Sequence, residues 1–287
     1  MKDAAAHFVW LTARVIDQRR FAYLFADGTA DGVQAALDAY RNPDGGYGWA
    51  LEPDGRGPVS QPVHVLTALE ILDEIGRVDP SIADHLAATQ TADGGTPITL
   101  PDLGTYPRAP WWPVTEEPAG SLLPTASIVA LLIRNKVAHP YVDRAAAFCR
   151  AAIAGTTATH PYEAGAIVRF LDAVGDEDEA ARIGRMVRAA RLVLIDPDRP
   201  QGIPTPEGYA EGEMHRPYDY APTPDSLARR WFSDAEMETA LDGLQAEQEE
   251  DGGWPIHFRA WAPGITLEWR PVATIHALKV LRAYGRI

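Results

Sequence analysis

Gln248-Glu249-Glu250-Asp251-Gly252-Gly253-Trp254-Pro255-Ile256 occurs in two further versions along this chain. They are Gln90-Thr91-Ala92-Asp93-Gly94-Gly95-Thr96-Pro97-Ile98 and Arg41-Asn42-Pro43-Asp44-Gly45-Gly46-Tyr47-Gly48-Trp49. A leucine (Leu37, Leu86, Leu244) stands seven residues before each aspartate, and a long polar side chain (Arg41, Gln90, Gln248) stands three before it. Asp44 and Asp93 lie 49 residues apart and Asp93 and Asp251 lie 158 apart, near three further steps of that length. The spacing predicts a tandem repeat of about fifty residues with two degenerate copies in the interval. Asp-Gly-Gly is itself a turn signal, because glycine accepts the positive φ that other residues resist.

Around these turns the apolar residues recur at helical spacing, and no strand pattern interrupts them. About eleven helices of two alternating kinds are expected. One kind ends at an Asp-Gly-Gly turn. The other starts beyond it with its own signature: Pro62 followed by Ala68, Pro124 by Ala130, and Pro271 by Ala277. Proline suits a first helical turn, where its missing N–H is not needed, and a small alanine allows close helix approach. Ala4 to Phe25 reads as one helical segment, Pro271 as the opening of the last helix, and Ser233-Asp234 as an N-cap. The fold class is therefore all-α, a single domain over residues 1–287 built of stacked helical hairpins. The long loops all follow the first kind of helix, so they gather at one end, together with the N-termini of the second kind.

Composition narrows the partners. Lys and Arg number 26 against 40 Asp and Glu, a formal net charge of -14, whose field opposes nucleic acid, anionic membranes and polyuronates. The single cysteine, Cys149, sits in the helical pattern Arg144 to Ile153 and reads as a buried helix residue in a reducing compartment. Met1 to Trp10 has no signal-peptide core, and no apolar run reaches ~18 residues, which predicts a soluble, cytoplasmic protein without a spanning segment.

Gln-x-x-Asp-Gly-Gly-Trp after an amphipathic helix, followed by a loop and a small-residue-rich helix, resembles the repeat of the terpenoid cyclase and protein prenyltransferase superfamily, as in squalene–hopene cyclases. The resemblance spans most of the chain, with three sharp copies. It implies an α/α toroid of about five to six helical hairpins, in which the second kind of helix forms the inner ring. It also implies that Gln90, Gln248 and Trp254 tie outer helices together. Its catalytic signatures are altered here. Asp196-Pro197-Asp198-Arg199 lacks the third carboxylate of the family's acid motif, an aspartate-rich diphosphate motif is absent, and Cys149 lacks the acidic neighbour of a zinc site. No metal and no cofactor is expected.

Candidate chemistry lies just beyond the turns. Glu52 and Asp54 are paired carboxylates suited to general-acid work, and His64 follows on the first turn of an inner helix beside Gln61. Trp49, Tyr106, Trp111, Trp112, Trp261 and Trp269 form an aromatic set able to stabilise positive charge or stack on a flat ligand. His257 and Arg270 join them as polar contacts. Glu211, Glu213, His215, Arg216, Asp219 and Tyr220 read as a solvated loop or lid. The resulting expectation is an acid-initiated cyclisation or isomerisation of a small apolar, isoprenoid-like substrate. The alternatives are a carbohydrate-active toroid, since Gly252 to Pro255 also resembles a pectate lyase motif, or a non-catalytic binding or scaffold protein.

Overall fold

The computed structural model describes residues 1–195 and 213–287. Asp196-Pro197-Asp198-Arg199 and Glu211, which figure in the sequence reading, lie outside the described residues. The helices are α1 (Lys2–Thr12), α2 (Val15–Phe25), α3 (Ala30–Leu37), α4 (Pro62–Glu74), α5 (Ser81–Ala88), α6 (Leu122–Arg134), α7 (Pro140–Gly155), α8 (Pro161–Val174), α9 (Glu177–Ala189), α10 (Pro217–Tyr220), α11 (Asp234–Ala246) and α12 (Ile265–Ala283). Three short 3-10 turns, Asp38–Tyr40, Pro101–Thr105 and Leu227–Trp231, complete the set. Among the described residues there is no strand, only isolated bridges such as Thr96 with Ser121, so the all-α expectation holds.

The chain divides into two compact units. One comprises residues 1–28, 158–168 and 176–287; the other comprises residues 29–157 and 169–175. In the second unit α6 packs on both α4 and α7, and α5 packs on α7. Its core holds Val65, Ala68, Ile71, Ile128, Leu132 and Tyr141, all buried. Cys149 is buried on α7 as expected, and burial pushes its thiol up to about 12. In the first unit α1 packs on α2 and α12, α10 on α11, and α9 on the 3-10 turn Leu227–Trp231. Close approach there depends on Gly184, where a Cβ would overlap the Trp231 indole.

The three Asp-Gly-Gly turns are the same object. In each, the aspartate Oδ1 accepts the N–H of the second glycine, at 2.9 Å for Asp44, 3.0 Å for Asp93 and 3.0 Å for Asp251. The first glycine is left-handed each time, with φ of 83° at Gly45, 90° at Gly94 and 91° at Gly252. The long polar residue three before the aspartate then reaches the start of another helix. Arg41 donates to Ser81 at 2.8 Å on α5, Gln90 to the Tyr141 carbonyl at 3.5 Å on α7, and Gln248 to the Met1 carbonyl at 2.9 Å ahead of α1. The helices that follow the turns are reached as well. The Trp254 N–H donates to Thr274 Oγ1 on α12 at 3.0 Å, and the Thr96 N–H to Thr125 Oγ1 on α6 at 2.8 Å.

Several boundaries differ from the sequence expectation, each for a local reason. Ala4 to Phe25 is two helices, because Ala13 and Arg14 are extended. The Gln18 side chain then donates to the Trp10 and Ala13 carbonyls that the end of α1 leaves over. Pro271 lies inside α12 instead of opening it. Its missing N–H withholds an i→i−4 bond from the carbonyl of Leu267, an exposed residue. The second copy's proline is also displaced. Thr125 bonds back to Ser121 as Thr274 does to Arg270, which aligns Leu122, not Pro124, with Pro271. Ser233 caps α11 as expected, in a capping box with Glu236.

Candidate functional site

Two sets of chemically active residues are assembled, one in each unit. In the second unit the loop after the first turn folds against the loop at 106–112. The Arg56 N–H donates to the Pro107 carbonyl at 3.0 Å, and the Ala109 N–H to that of Asp54 at 2.8 Å. A Cβ at Gly57 would overlap the Tyr106 ring, and one at Gly55 would overlap Trp112 while touching His64. Glu52, Asp54, His64, Tyr106 and Trp112 are thus brought together as the sequence suggested. Their polar atoms hold the loop. The Glu52 carboxylate accepts the Asp54 N–H at 2.9 Å, and His64 Nδ1 accepts the Glu52 N–H at 3.1 Å, which puts the proton of a neutral imidazole on Nε2. Asp54 and His64 are buried.

Gln61 has both ends of its amide engaged. Its Nε2 donates to Asp102 at 2.6 Å and its Oε1 accepts the Leu100 N–H at 2.7 Å, so it fastens α4 to the 3-10 turn Pro101–Thr105. Trp49 is 56% exposed and left-handed at φ 58°, and its indole N–H donates to Asn42 at 2.9 Å. Trp111 is half-buried.

The first unit contains a cavity of about 290 Å³. One wall comes from α12, through Trp269, Val272, Ala273 and Ala277, and another from the third turn and its sequel, Trp254 to Phe258. Phe258 stands edge-on to Trp269 with ring centroids 5.3 Å apart. Trp254 is fixed behind them, 2% exposed, with its indole N–H donated to the Leu244 carbonyl at 2.7 Å. The small side chains of Ala273 and Ala277 leave the open volume between these rings.

Polar residues line it too. Glu213, His215, Arg216 and Asp219 come from the segment entering α10, and Glu247 from the end of α11. Arg216 reaches Glu247 at 2.7 Å and donates to the Tyr218 hydroxyl at 3.1 Å, and Glu247 also meets His257 at 3.1 Å. Burial opposes the charge on Arg216, but Tyr218 and Glu247 outweigh it and its pKa is raised. The Tyr218 hydroxyl is pushed well up, first by burial and then by Asp219. His215 is held edge-on against Tyr162, 4.5 Å between centroids, and Tyr162 donates to Glu213 at 2.6 Å. Burial lowers the His215 pKa, which leaves the imidazole neutral near pH 7, and its Nδ1 has no hydrogen-bond partner among the described residues. His160 is lowered likewise, by burial and by its nearness to His215.

Of the residues singled out from sequence, His257 and Trp269 line this cavity and Trp261 and Arg270 do not. Arg270 binds Asp251 at 2.7 Å and Glu249 at 2.5 Å and lies over the Phe8 ring at 4.6 Å. It therefore fastens the third turn to α12, where the sequence suggested a polar contact of the site. The Trp261 indole N–H is buried without a partner among the described residues. Arg216, Glu247, Tyr162 and His276 line the cavity without having been singled out as binding residues. Density of titratable groups around His215 was the one signal pointing to it. Among the described residues no group of His, Cys, Asp and Glu is placed to hold a metal ion, and no helix is long and apolar enough to cross a membrane. No protein-family model matches this chain and no curated protein matches it.

Proposed function

We propose that this is a terpenoid-cyclase-like protein, a single α/α toroid, and that the cavity of its first unit takes a small apolar, isoprenoid-like molecule. The observation that carries the reading is the wall of Trp254, Phe258 and Trp269 around a space opened by Ala273 and Ala277. Its volume of about 290 Å³ sits at the lower end of the range of small-ligand sites, roughly 300–1,000 Å³. Burying a hydrocarbon chain there is favourable by about 25 cal/mol per Å² removed from water. The recurrence of one turn geometry at Asp44, Asp93 and Asp251, each reaching another helix start, supports the toroid.

The proposal extends to an acid-initiated cyclisation or isomerisation. A carboxyl donates a proton to an alkene carbon, aromatic rings stabilise the resulting positive charge, and loss of a proton elsewhere restores a double bond. Glu52 and Asp54 are the carboxyls suggested by sequence, in the second unit; Glu213, Asp219 and Glu247 line the cavity. Incubation with linear isoprenoids, followed by mass-spectrometric analysis of extracted products, tests the step. Rearranged product that disappears in one carboxyl variant identifies the acid. Saturable binding without product leaves a binding protein, and absence of binding removes the proposal.

A further inference from the structure

The cavity lining is largely apolar, and its charged residues are mostly acidic. Among the described residues Glu213, Asp219 and Glu247 line it with one guanidinium, that of Arg216, and with His257 beside Glu247. Arg216 and Glu247 offset one another, with Nη2 2.7 Å from the carboxylate and Nη1 donating to Tyr218, which leaves Glu213 and Asp219 as the excess negative charge. Its main-chain N–H goes to Asp219 at 2.6 Å. A carboxylate keeps its negative charge whichever hydrogen bonds it accepts, and His215 adds no positive charge because burial keeps it neutral near pH 7. A ligand entering this space therefore meets both aromatic rings and excess negative charge among the described lining residues. Both features favour the same chemistry. Ring quadrupoles attract a cation, carboxylates attract it through the Coulomb term, and both act more strongly where water is displaced. An anionic head group faces the reverse, with the one guanidinium spent on Glu247.

We infer that the ligand of this cavity is a hydrophobic amine or quaternary ammonium compound, its cationic nitrogen seated between the aromatic wall of Trp254, Phe258 and Trp269 and the carboxylates of Glu213, Asp219 and Glu247. The inference rests on the reading of this cavity as the ligand site and adds the sign of the charge. Its test is a matched series on the intact protein: octyltrimethylammonium, octanol and octanoate, titrated calorimetrically at low and high salt. The ammonium compound should bind about tenfold tighter than the alcohol, from cation–π and Coulomb attraction together, and octanoate should bind weakest. That preference should shrink as salt screens the carboxylates, and the Glu213→Gln variant should lose more affinity for the ammonium compound than for octanol. Alcohol and ammonium binding equally would overturn the inference and leave the apolar site standing. Octanoate binding tightest would overturn it in favour of Arg216. No saturable binding by any of the three would remove the site itself.

Discussion

The side-chain amide of Gln248 donates to the Met1 carbonyl at 2.9 Å and to the Gly252 carbonyl at 2.8 Å, so one side chain joins the third Asp-Gly-Gly turn to the start of α1. Gln90 does the same between Gly94, at 2.8 Å, and Tyr141. Because each amide serves two carbonyls, its loss leaves two acceptors to water or to nothing. Gln248→Ala should cost about 1–2 kcal/mol. Urea denaturation should show a lower midpoint at unchanged slope.

Gly252 and Gly45 share a left-handed φ but differ in surroundings. A Cβ at Gly45 would sit 3.6 Å from the Ser81 carbonyl, an ordinary contact, whereas one at Gly252 would overlap the Ala4 carbonyl. Gly45→Ala should therefore cost only the conformational term, about 1–2 kcal/mol. Gly252→Ala should cost more than about 3 kcal/mol, because α1 must also move. Equal thermal shifts in the two variants would show that the contact with α1 carries no weight.

Arg270 holds the Asp251 carboxyl below its ordinary range through their hydrogen bonds. A carboxylate depressed in the folded state contributes stability above its unfolded pKa, about 3.9, and loses it as pH falls through the folded value. Asp251→Asn should thus be less stable than the parent at pH 7, and the two thermal midpoints should converge below about pH 3.9. A gap that persists in acid would assign the difference to packing.

The buried histidines give the same sign of linkage at higher pH. Burial lowers the folded pKa of His215 and His160, so below about pH 6.5 the unfolded chain takes up protons that the folded one refuses. Stability should fall as pH drops from about 6.5 toward those folded values, and His215→Leu should flatten the slope. Thermal melts across that range measure it.

What sequence made legible was whatever is local. The Asp-Gly-Gly turns, the Ser233 cap and the burial of Cys149 each depend on neighbours within a few residues, and each was read correctly. The break at Ala13 was hidden because Gln18 recovers the lost carbonyls from five residues away. Pro271 was misplaced because the helix it was read as opening starts at Ile265, and the residue whose carbonyl it cannot serve, Leu267, is exposed. The pairing of Arg216 with Glu247 escaped for a different reason. They stand on separate elements, and only packing of α10 against α11 makes them one charge pair at a cavity. Glu52, Asp54 and His64 were grouped correctly, but their polar atoms serve the loop that groups them.

The central claim is that the space between Trp254, Phe258, Trp269 and Ala273 is a ligand site. Ala273→Phe fills it from α12 without introducing charge. Tryptophan fluorescence titration of the parent and this variant with a linear isoprenoid alcohol tests the claim most directly. Saturable quenching in the parent and at least about tenfold weaker binding in a folded Ala273→Phe variant is the predicted result. Superimposable curves, or no saturation in the parent, would contradict it.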